Sequence, residues 1–208
     1  MNKYIVEFLG TFFLVFIIGV AVIEPGLGIY APLAIGLLLI IMIYAGAKIS
    51  GAHYNPAVTI SLWLRGRFNK DIVPYYIISQ VIAGVAAAVL IGFIKDQNSI
   101  STIDSTIVSI FFAELIFTFV LCFVILYVAT SKKTEGNSYY GLAIGLTVII
   151  GAYAVGSVSG GAFNPAVALG ITVMGLSAAM KIWVYFVANF TGGIIAALIF
   201  KILNADDS

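Results

Sequence analysis

The segment Ser50–Ser61, SGAHYNPAVTIS, recurs 109 residues later as Ser159–Gly170, SGGAFNPAVALG. In both copies a Ser-Gly loop runs into Asn-Pro-Ala-Val, and six of the ten positions from Ile49 to Val58 are identical across the shift. Asn before Pro is a helix-start signal: the Asn side chain caps free amides of the first turn, and Pro occupies the first helical position. Each copy therefore predicts a helix beginning at its Asn. Asn55–Leu64 and Asn164–Val173 span ten residues each, which as helix is about 15 Å, half of a bilayer core of about 30 Å.

The bilayer is the solvent this chain suits. Of its 208 residues 62% are hydrophobic and 9% charged, whereas a water-facing surface needs roughly 25% charged residues. Six stretches approach spanning length, at 4–23, 31–48, 72–94, 106–130, 139–157 and 180–201. The first is expected to be a retained span rather than a cleaved leader: it is long, contains Glu7, and lacks a small-x-small site before a polar segment. A net charge of +1 gives no reason to expect nucleic acid. The single Cys122 lies in an apolar run, excludes an internal disulfide and reads as a packing residue.

The expected architecture is one all-α membrane domain over 1–208, with six transmembrane helices and two re-entrant half-helices. Its repeats cover about 1–100 and 101–208. A shift of 107 lays Glu7–Thr11, EFLGT, on Glu114–Thr118, ELIFT, and the shift of 109 lays Gly84 on Gly193. Three full spans per half is an odd number, so the second half must be inverted. The half-helices then dip from opposite faces and meet N-terminus to N-terminus near the midplane. Broken backbone at that depth is tolerated only where protein buries it or a water-filled path receives it. Each half-helix start carries roughly +0.5 charge, and Asn55 and Asn164 can offer amide donors, so the centre suits neutral polar molecules and repels cations.

Basic residues set the expected orientation. Lys3, Lys48, Arg65, Arg67, Lys70, Lys132, Lys133 and Lys201 fall on one side, against Lys95 and Lys181 on the other. Eight against two places both termini in the cytoplasm of a multi-pass cell-membrane protein.

ISGAHYNPAVT and VSGGAFNPAV, with Glu7, Glu114, Gly84 and Gly193, resemble the aquaporin or major intrinsic protein family over nearly the whole chain. One Asn-Pro-Ala is a weak signal; two in matching places of an inverted repeat are specific. The resemblance implies a homotetramer with one pore per subunit and passive flow. It makes Asn55, Pro56, Ala57, Asn164, Pro165 and Ala166 the pore centre, and gives Glu7 and Glu114 the job of supporting the re-entrant loops. The family's outer filter falls on Ile35, Ala152, Gly161 and Val167. Family members usually carry an arginine where Val167 stands. Water-selective ones typically add a histidine at the place of Ala152 and an aromatic at that of Ile35. Glycerol-conducting ones keep the arginine and use aromatics elsewhere in the filter.

This chain matches neither pattern. Ala and Gly open the filter and Ile and Val make it apolar, so the expected cargo is a neutral solute larger than water: a small polyol, urea, a metalloid acid, or ammonia. The alternatives are a water channel whose drifted filter has narrowed by backbone movement, and an ion- or proton-conducting pore. His53 is assigned to the inner vestibule or to a packed loop, and Lys48 either reaches the membrane surface or projects into the pore mouth. The close pairs Gly141/Gly145, Gly84/Ala88 and Gly192/Ala196 suit tight helix packing. Tyr75, Tyr76, Tyr139, Tyr140 and Trp183 are expected as interfacial anchors. No cofactor, metal site or enzyme activity is expected, since no nucleophile–base pair, Cys/His cluster or phosphate-cradling loop is visible.

Overall fold

Six long helices and two short ones make up the protein, seen in a computed structural model that describes residues 1–96 and 99–207. The long helices are α1 (Asn2–Val22), α2 (Ala31–Ser50), α4 (Val73–Ile94), α5 (Ile107–Thr130), α6 (Tyr140–Ser159) and α8 (Ile182–Leu203). All six are long and apolar enough to cross a membrane. Between them lie the half-helices α3 (Pro56–Arg65) and α7 (Pro165–Val173). Among the described residues every regular element is helical. We call the side holding the first and last residues the inner side.

Both half-helices begin as their sequence requires. Asn55 and Asn164 are extended N-caps, at φ −155° and −161°, and each side-chain oxygen accepts two amides of the first turn. The helices that feed them end alike. Gly51 and Gly160 close α2 and α6 in the left-handed region, at φ 90° and 84°. Glycine makes that reversal without the steric penalty of a Cβ. The chain then turns back into the membrane instead of leaving it.

Helices wedge the half-helices from both sides. A Cβ built on Gly84 of α4 would lie 2.7 Å from the Ala166 carbonyl oxygen of α7. One on Gly193 of α8 would lie 2.9 Å from the Ala57 carbonyl oxygen of α3. The two glycines thus do the same job in the two repeats. The long α2 and α6 cross at Gly36 and Gly145, each of whose Cβ positions would fall 2.8 Å from the other's carbonyl oxygen. Gly145 therefore acts inside the chain, as do Gly141, which faces the Tyr44 ring, and Gly192, which faces the α5 backbone.

The interfacial tyrosines divide. Tyr75, Tyr139 and Trp183 are exposed, but Tyr76 is only 1% exposed. Its hydroxyl donates to the Ser50 carbonyl at 2.7 Å. Tyr76 is an interior staple rather than a surface anchor.

Because backbone sits where a side chain would go, Gly84→Val should lower the thermal midpoint of the detergent-solubilised protein. Overpacking of this kind costs about 1–3 kcal/mol. Val at Gly136, whose Cβ position meets nothing within 4 Å, tests backbone strain alone, since φ there is 76°; its loss should be the smaller.

Candidate functional site

Each half-helix is held by a buried glutamate, and the two arrangements match bond for bond. Glu7 of α1 accepts the Ser50 hydroxyl (2.7 Å), the His53 amide (2.9 Å), the Tyr54 amide (2.7 Å) and the Gln80 side-chain amide (2.8 Å). Glu114 of α5 accepts the Ser159 hydroxyl (2.7 Å), the Ala162 amide (3.0 Å), the Phe163 amide (2.7 Å) and the Asn189 side-chain amide (2.8 Å). Four donors converge on each carboxyl group, which is the acceptor capacity of a carboxylate. With every lone pair engaged by a donor, the geometry is that of a scaffold for the loops.

Tyr185 repeats the Tyr76 staple, donating to the Ser159 carbonyl at 2.7 Å. Tyr76/Tyr185 and Gln80/Asn189 obey the same shift of 109 as the Asn-Pro-Ala motifs. Extending that shift past Val58 finds both pairs in the sequence. Their chemistry differs by one methylene. Asn189 also donates to Thr118, whereas the longer Gln80 reaches Thr59. The hydroxyl of Thr11, the counterpart of Thr118, has no partner.

These anchors hold a strained backbone in place. Tyr54 and Phe163 sit at φ 51° and 47°, a region that costs a non-glycine residue roughly 1–2 kcal/mol. The turn aims their carbonyls across the molecule. Asn55 donates its side-chain amide to the Phe163 carbonyl at 2.8 Å, and Asn164 donates to the Tyr54 carbonyl at 2.8 Å. Each asparagine therefore caps its own helix with its oxygen and ties itself to the other loop with one amide hydrogen. An Asn amide carries two donors, so each has one left.

Both asparagines face a cavity of about 850 Å³. Apolar stripes one helical turn apart form its walls: Ile35, Leu39 and Ile43 of α2, Ile144 and Val148 of α6, Leu14 and Ile18 of α1, Leu121 and Ile125 of α5. Pro56, Ala57, Pro165 and Ala166 lie behind the asparagines, buried in the half-helix starts. At the inner end the cavity reaches Arg67, Lys132 and Glu135. There Asp207 accepts the Lys132 backbone amide at 3.1 Å and pairs with Arg65 at 3.5 Å. The Ser131 hydroxyl, then the Lys132 amide and the Arg65 charge, hold the Asp207 carboxyl below the usual range.

A chain with this arrangement has clear relatives. The profile of the family described as "Major intrinsic protein" matches residues 1–200. The chain belongs to the major intrinsic protein, or aquaporin, family. It is 36% identical to Aquaporin NIP1-2 of Arabidopsis thaliana, across all of this chain and 76% of that protein. It is 35% identical to Glycerol uptake facilitator protein-like 6 of Lactiplantibacillus plantarum, across the full length of both. The solved structure of the aquaglyceroporin from Plasmodium falciparum superposes with a TM-score of 0.78 at 26% identity, covering 96% of this chain and 94% of that one. As an aquaporin-family member the chain is a membrane channel for water and small neutral solutes, and not an enzyme.

Of the residues expected at the family's filter, Ile35, Gly161 and Val167 line this cavity, and Ala152 stays partly exposed. Gly161 lies against it, since a Cβ on Gly161 would come 3.3 Å from the Ala152 Cα. Lys48 is exposed and outside the lining of this cavity. His53 combines its two readings: its ring packs against Phe68 and Tyr76, with centroids 4.6 and 5.0 Å away, and its edge lines the cavity.

Glu114→Ala would strand the Ala162 and Phe163 amides in the interior. An unsatisfied buried donor costs about 1–3 kcal/mol, so this variant should lose its monodisperse peak in fluorescence-detected size exclusion. Glu114→Gln keeps an acceptor and should retain a fraction of it.

Proposed function

We propose that this channel passes neutral solutes larger than water, with small polyols and urea first and metalloid acids and ammonia in the same class. The observation that carries the reading is the chemistry of the cavity's outer end. Val167 stands directly after the second Asn-Pro-Ala, 2% exposed, beside Ile35 and Gly161. An aliphatic ring offers a passing molecule no hydrogen bond, so the most strongly hydrated species pay the largest penalty. Ions are excluded first, and weakly hydrated neutral molecules are slowed least. The names of two relatives, a glycerol uptake facilitator and an aquaglyceroporin, support a solute of polyol size.

The centre of the path is assigned to the remaining amide donors of Asn55 and Asn164. They bond a solute oxygen while the two half-helix starts repel cations. Glu7 and Glu114 act only through the loops they hold. The working unit is a homotetramer in the cell membrane with both termini cytoplasmic. Support comes from the exposed aliphatic rows Leu33, Leu37 and Ile41 on α2 and Leu142, Leu146 and Ile150 on α6, and from the excess of Lys and Arg on the inner side.

Proteoliposomes holding the protein should swell in inward glycerol and urea gradients. Val167→Arg, which places a long cation in the ring, should slow glycerol by at least about tenfold, equivalent to about 1.4 kcal/mol on the barrier. Water flow with no solute permeability in the unsubstituted protein would overturn the reading.

A further inference from the structure

His53 is the one histidine of the chain, and a series of hydrogen bonds starting at Glu7 fixes where its proton sits. The Glu7 carboxylate accepts the Gln80 side-chain amide at 2.8 Å, so the Gln80 nitrogen is the donor. The same nitrogen donates to the Thr59 hydroxyl at 3.1 Å. Thr59 in turn donates its own hydrogen to the Asn55 carbonyl at 3.0 Å. A hydroxyl has one hydrogen to give. The remaining contact of Thr59, to His53 Nδ1 at 3.1 Å, therefore takes its hydrogen from the ring. The half-helix starts disfavour a charged ring beside them. A neutral imidazole with its hydrogen on Nδ1 leaves Nε2 with a free lone pair.

The two ring nitrogens face different surroundings. Nδ1 meets Thr59, which is fully buried. Nε2 has no hydrogen-bond partner among the described residues, yet it is not one of the sealed, unpaired polar atoms of the interior. It lies 3.1 Å from the Cβ position of Gly51, and Gly51, His53 and Asn55 all line the cavity. The second repeat has no such group. The shift of 109 puts Ala162 and Ala168 where His53 and Thr59 stand, and Ala162 brings no polar side chain to the cavity. The path is therefore lopsided: amide donors at its centre, and an imidazole acceptor beside them on the inner side.

We propose that His53 is a specificity-determining residue whose Nε2 accepts a hydrogen bond from the O–H or N–H of a solute that meets the asparagine donors with its oxygen. Thr59 is the positioning residue that keeps Nε2 unprotonated. A polyol or urea that has shed its water needs both kinds of partner from the wall, because a polar group left unpaired in a dry place is costly. Waters in file can partner one another, so the acceptor favours the larger solute. The inference rests on the neutral-solute reading above and deepens it.

With a single histidine, nitrogen-15 histidine labelling of protein purified on a histidine-free tag reads this ring alone. In liposomes at neutral pH the NMR spectrum should show a protonated Nδ1 and an unprotonated Nε2. Added glycerol or urea should move the Nε2 signal in a concentration-dependent way and leave Nδ1 in place. Thr59→Val should bring in a population protonated on Nε2. His53→Phe, which keeps a ring against Phe68 and Tyr76 but no acceptor, should lower the glycerol-to-water permeability ratio about fivefold, the effect of one neutral hydrogen bond. If that variant fails to fold, the spectrum of the unsubstituted protein decides. A protonated Nε2, or an Nε2 signal that neither solute moves, overturns the acceptor role, while glycerol flux in the same liposomes leaves the channel reading intact. A Thr59→Val spectrum identical to the unsubstituted one overturns the part given to Thr59. Liposomes that pass water but neither solute overturn the neutral-solute reading and this inference with it.

Discussion

The exchange of hydrogen bonds between two asparagines and two opposing loops is the constraint on which this structure depends. Asn55 reaches the carbonyl before Asn164, and Asn164 reaches the carbonyl before Asn55, each at 2.8 Å. The exchange works only if Tyr54 and Phe163 hold a left-handed backbone. That strain persists only where the surroundings over-determine it. Glu7 and Glu114 provide the determination by gripping the amides of the same two residues. Two buried carboxylates, two strained residues and two asparagines therefore form one interlocked unit, and the six long helices surround it.

This unit explains the functional economy of the chain. Acidic groups at membrane depth usually mark ion or proton pathways. Here their oxygens are occupied by donors from the loops and from Gln80 and Asn189, and the cavity is lined by apolar stripes with Asn55 and Asn164 among them. Loop seating also reaches the outer ring. Phe163, anchored by Glu114, presses on Gly151, and Gly161 follows onto Ala152.

The half-helices, the inverted repeat and all six spans were legible in the sequence because each rests on a local signal: Asn-Pro at a helix start, or about 20 apolar residues. The long helices match the expected spans to within two residues at either end, with caps at Gly51 and Gly160 setting the ends of α2 and α6. Glu7 and Glu114 were visible as a repeated pair. Tyr76 was misread because a tyrosine near a helix start looks the same whether it faces lipid or a loop carbonyl; only its partner Tyr185, 109 residues on, separates the cases. The Asp207–Arg65 pair, 142 residues apart, carries no local signal.

The central claim is a path that carries neutral molecules and no charge, and simultaneous measurement of solute flux and ionic current tests it most directly. Protein from one preparation would be placed in glycerol-loaded vesicles and in a voltage-clamped planar bilayer. The account predicts glycerol flux well above that of empty vesicles, with bilayer current indistinguishable from that of lipid alone. Voltage-dependent current that scales with protein and survives where glycerol flux is absent would contradict it.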